Sequence, residues 1–116
     1  MQYALLVYER EAALGPDDGS TALSEILARH VAFSRDLGPK RIGGAGLKST
    51  VSATTVRTQG GAKTVHDGPF AETKEQLGGL YLIDAPDLDA AIAIARNVPL
   101  TGDGAIEIRP LLVATH

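Results

Sequence analysis

The chain has 116 residues, 44% of them hydrophobic, enough for one domain with a core of its own. A net charge of −3 without a basic cluster argues against nucleic acid as the main partner, and the lack of cysteine excludes disulfides and thiolate metal sites. The N-terminal apolar run is too short for a signal sequence and no stretch reaches the roughly 20 apolar residues of a membrane span, so a cytoplasmic protein with no membrane partner is expected.

Gln2 to Tyr8 reads as a strand with both faces largely buried. Gly15 to Ser20 is a loop by composition, and Ser20 or Thr21 can cap the next helix. Between Ala22 and Leu37 the residues Leu23, Ile26, Leu27, His30, Val31, Ser34 and Leu37 recur at helical spacing. Gly38-Pro39 ends that helix. Arg41 to Leu47 is a short, glycine-interrupted strand with a close backbone approach or a bulge. Thr54–Thr58 and Ala62–His66 form a hairpin turned by Gln59-Gly60-Gly61.

The stretch from Lys63 to Asp84 carries the most information. An extended run enters an Asp67-Gly68-Pro69 corner, followed by a charged segment with Glu72, Lys74 and Glu75. The Gly78-Gly79 pair then releases the chain into a buried strand, Leu80 to Ile83. Glycine supplies unusual backbone angles and proline fixes φ, so Gly68, Pro69, Gly78 and Gly79 read as structural turn residues. Asp87 caps a second helix, with Leu88, Ala91, Ile92 and Ala95 facing inward, and Ala105 to Val113 is the last strand.

Apart from the hairpin, the order is βαββαβ. This predicts an α+β, ferredoxin-like fold: an antiparallel sheet with two helices on one face, plus an extra β-hairpin. The other sheet face is then open, and large exposed apolar patches mark association sites. A homodimer joined through its sheet faces is the expected resolution.

The run Asp67-Gly68-Pro69-Phe70-Ala71-Glu72-Thr73-Lys74-Glu75, with Gly78-Gly79 and the strand after it, resembles the signature of the YCII-related family, in its DGPF-motif branch. The opening Met1–Tyr8 and closing Ile106–Pro110 segments resemble that family's first and last strands. The resemblance implies a dimeric α+β barrel and a proposed acid/base couple of a histidine on the first helix and an aspartate after the sheet turn.

Two residues fit that couple. His30 is the one titratable group on the apolar stripe of the first helix, and a carboxylate at Asp67 can orient and charge its imidazole for general acid or base work near neutral pH. The blander readings are a hydrogen-bonded edge histidine and an aspartate that closes its own turn. Glu72, Lys74 and Arg109 are candidates for positioning a substrate, Arg109 by holding a carboxylate; otherwise they are solvated surface charges. His66 points away from Asp67 along an extended segment. His30, His66 and His116 show no metal-ligand spacing, so neither metal nor cofactor is expected. Two functions follow: a small enzyme doing lyase-like acid/base chemistry on a small organic molecule, or a non-catalytic dimeric ligand-binding or regulatory module tied, as the resemblance implies, to sigma-factor systems.

Overall fold

A computed structural model describes residues 1–13 and 21–112. Its strands are β1 (Gln2–Glu9), β2 (Arg41–Gly46), β3 (Thr54–Gln59), β4 (Ala62–Asp67), β5 (Gln76–Asp84) and β6 (Gly104–Pro110), and its helices α1 (Thr21–Leu37) and α2 (Leu88–Ala95). Four strands form an antiparallel sheet in the order β2-β5-β1-β6, while β3 and β4 pair only with each other. Without that hairpin the connectivity is βαββαβ, so the protein is α+β and ferredoxin-like. The proposed loop at 15–20 and the terminal His116 lie outside the described residues, as does Val113, the expected end of the last strand.

Only one face of the sheet is fully covered. Along β1, Tyr3, Leu5, Val7 and Glu9 are buried, whereas Ala4, Leu6 and Tyr8 are half-buried. Of the two faces expected to be largely buried, one is fully covered and the other only in part. The covered side meets Phe33 and Leu37 of α1, Ala91 and Ala95 of α2, and Tyr81 and Ile83 of β5. Leu5 and Ile83 are completely enclosed there. Alanines at the α2 contact keep that helix close to the strands. Asp87 caps α2 as expected, its Oδ1 accepting from Ala90 N at 2.9 Å. Leu88, placed in the inward stripe from sequence, is 50% exposed instead.

The glycine pair at Gly78-Gly79 lies inside β5, which begins at Gln76, and is not a turn ahead of it. Pairing with β1 shifts register there, Val7 facing Gly79 and Tyr8 facing Leu77, so Gly78 is the extra residue of a bulge. A Cβ on Gly79 would stand 3.0 Å from the Ala45 carbonyl oxygen, so close passage of β2 requires its absence. At the Asp67-Gly68-Pro69 corner the chain bends out of β4, with Gly68 still bonded to the facing arm of the hairpin. Gly68 has φ +108, its N–H donates to Ala53 O at 2.8 Å, and its carbonyl accepts from Thr55 Oγ1 at 2.7 Å.

The hairpin stands apart from this core. Gly60 (φ 58) and Gly61 (φ 82) make a two-residue turn, whereas Gln59, expected in the turn, ends β3 opposite Ala62. Val56 and Val65 face each other across it yet are 63% and 68% exposed.

Candidate functional site

Between α1 and the sheet lies a cavity of about 530 Å³. It exists because the sheet there is built from glycine: Gly46, Gly78 and Gly79 contribute walls without side chains, so α1 cannot pack down on them. The lining is mostly aliphatic, from Leu23, Ile26, Leu27, Val31, Leu47 and Leu80. Leu27 and Val31, expected in the core, are instead 52% and 57% exposed. The residue that replaces them in the core is Phe33, which meets the Tyr81 ring edge-on at 5.0 Å between centroids.

Few polar groups enter this apolar space. His30, half-buried, places Nδ1 2.7 Å from the Tyr81 hydroxyl, and its ring lies nearly parallel to the tyrosine's, 5.9 Å away. Arg41 also lies over this ring, its guanidinium carbon 6.0 Å from the centroid. Ser34 and Glu9 complete the polar lining, and Glu9, only 5% exposed, accepts from Thr101 N at 3.1 Å.

Burial lowers the His30 pKa below its usual 6.5, and the neighbouring Arg29 charge acts in the same direction. The imidazole is therefore neutral at pH 7. If Nδ1–H donates to the tyrosine oxygen, Nε2 keeps a lone pair that can take a proton; in the other tautomer Tyr81 donates and Nε2–H becomes a donor. The unfolded chain protonates His30 more readily than the native one. The stability owed to the neutral ring is thus complete above about pH 6.5 and declines as pH falls toward and through the native pKa. Urea unfolding at pH 7.5 and 5.5 should show a drop for the wild type that is smaller in His30→Gln; equal drops would mean that the ring titrates normally.

The proposed His30–Asp67 couple does not form within the chain. Asp67 lies at the end of β4, exposed, and lines a separate, shallower cavity of about 620 Å³. Its carboxylate makes no hydrogen bond among the described residues, so it closes neither its own turn nor a histidine contact. The reason is topological: β4 belongs to the projecting hairpin, not to the sheet beneath α1. Glu72 and Lys74 line the Asp67 cavity with Arg10 and Glu11, all without an ion pair to one another. Glu11 holds the floor of that cavity, accepting from Ser49 Oγ at 2.8 Å and from Thr50 N at 2.9 Å. Burial alone would raise its pKa, but these hydrogen bonds outweigh it and keep the carboxyl below 4.5. Arg109 joins neither cavity. It pairs with Ala4 across β6 and β1, on the sheet face away from the helices.

Sequence reasoning missed Tyr81, Arg41 and Glu9. Each had a faint mark: a polar-tipped residue in an apolar run, a cation opening a glycine-rich strand, and an acid ending a strand on its buried alternation. Among the described residues no helix is long and apolar enough to cross a membrane. Over 120 residues the chain is 40% identical to an uncharacterised protein of Rhizobium meliloti (strain 1021), covering 96% of this chain and 92% of that one. The family model of the YCII-related domain matches residues 1–115, and the chain belongs to the YCII-related family.

Proposed function

We propose that the cavity under α1 binds a small, largely apolar organic molecule and that His30 exchanges a proton with it, Tyr81 holding the imidazole in place. The observation that carries this reading is the 2.7 Å contact between His30 Nδ1 and the Tyr81 hydroxyl at the wall of an aliphatic cavity. Apolar pockets with a few convergent polar groups are the usual form of small-molecule sites. A ring nitrogen fixed by a hydroxyl partner and left neutral by burial is suited to act as a base. The Asp67 cavity has weaker grounds, since its acids and bases are exposed and none is held by a neighbour except Glu11.

A fragment screen by thermal shift separates the two cavities. Hits on the wild type should disappear in His30→Ala and persist in Asp67→Ala. Hits that persist in His30→Ala and vanish in Asp67→Ala would move the site to the corner after β4 and overturn the reading.

A further inference from the structure

We propose that Arg41 is the anion anchor of the His30–Tyr81 cavity, so that the ligand is an apolar molecule bearing one carboxylate. This rests on the cavity being the ligand site, and adds which ligands it selects. Arg41 is half-buried at the cavity wall, yet it has no acidic partner: the single ion pair among the described residues joins the Met1 ammonium to Asp84. Its Nε is buried with no hydrogen bond at all. Its one terminal contact, from Nη2 to the Gly44 carbonyl, is 3.4 Å, longer than an ordinary N–H···O bond.

A guanidinium in that condition is costly to bury. It is nevertheless held in place. The Tyr81 ring lies under it, and a Cβ at Gly44 would come within 3.3 Å of its Nη2, so that glycine leaves the room it occupies. A planar fork of donors, held in position with one long carbonyl contact and no acidic partner, fits a carboxylate bidentately. The cavity's own acid does not compete. Glu9 forms no ion pair with Arg41 and instead accepts from Thr101 N at 3.1 Å. The guanidinium is left for a ligand, and a monoanion enters with its head toward Arg41 and its apolar body along the aliphatic wall.

The test compares 3-phenylpropionate with its uncharged amide by calorimetric or NMR titration at pH 7.5. The wild type should bind the acid at least about tenfold more tightly than the amide, the scale of a lost charge-assisted hydrogen bond. Arg41→Gln should bring the acid down to the amide's affinity while leaving the amide within about twofold. Arg41→Lys, which keeps the charge but not the fork, should fall between. Equal binding of acid and amide to the wild type overturns the anchor and leaves the cavity reading standing; this comparison needs no variant, so a folding defect cannot mask it. A preference for the acid that survives in Arg41→Gln also overturns it. Binding of neither probe sinks both the anchor and the cavity reading.

Discussion

Gly44→Ala should destabilise the protein by roughly 3 kcal/mol, through overpacking together with a strained backbone. Its Cβ would stand 2.7 Å from the Leu80 carbonyl oxygen, and φ is +152, where a side chain is rarely tolerated. The obstacle is backbone of the neighbouring strand, which cannot swing aside as a flexible side chain would. Relief requires β2 to lift from β5, which opens the cavity and releases Arg41 as well. For a chain of this size the midpoint of thermal unfolding should fall by about 10 °C. Gly46→Ala on the same strand meets nothing within 4 Å and serves as the control. It should stay within about 0.5 kcal/mol of wild type. Calorimetric scans that find the two variants alike would show that β2 does not pass β5 as closely as described.

His30→Gln should reduce proton exchange on a bound carbon acid by about 10²- to 10⁴-fold, the range assigned to a general base. Glutamine can still hydrogen-bond the Tyr81 hydroxyl, but its amide does not accept a proton near neutral pH. Phenylpyruvate is a suitable probe, because its ketone acidifies the benzylic C–H and its carboxylate matches the Arg41 end. In D2O the wild type should speed the loss of the benzylic proton signal above the buffer rate. The proton would pass to a His30 nitrogen and the electron pair into the enolate, with solvent deuterium returned to carbon. A wild type no faster than buffer would favour a binding module over an enzyme. A His30→Gln variant as fast as wild type would place the base elsewhere.

Much of the scaffold was legible because its elements announce themselves locally. The alternation along Ile106 to Arg109, the Gly60-Gly61 turn and the Asp87 cap each depend on near neighbours, and each stands where local chemistry puts it. The site was less legible, for a physical reason. His30 was identifiable from one helix alone, but its partner is decided by which strand lies beneath that helix. The register of β5 settles this: Tyr81 pairs with Leu5 and lies on the covered face. Asp67 suggests itself as the partner because it sits in the most distinctive segment of the chain. Distinctive segments, however, also mark corners, and this one turns the chain from hairpin to sheet. Arg41 escaped notice because an arginine at a strand end is ordinary until its lack of a counter-charge is known.

The sheet order has a consequence for the chain as a whole. If the sequence is divided at the hairpin tip, β1 and β2 fall in the first half and β5 and β6 in the second. Laid out as β2-β5-β1-β6, the strands alternate between halves like the fingers of clasped hands. Every seam in the sheet therefore joins one half to the other, and neither holds two adjacent strands of its own. His30 and Arg41 come from the first half and Tyr81 from the second, so the pocket exists only once the clasp has closed.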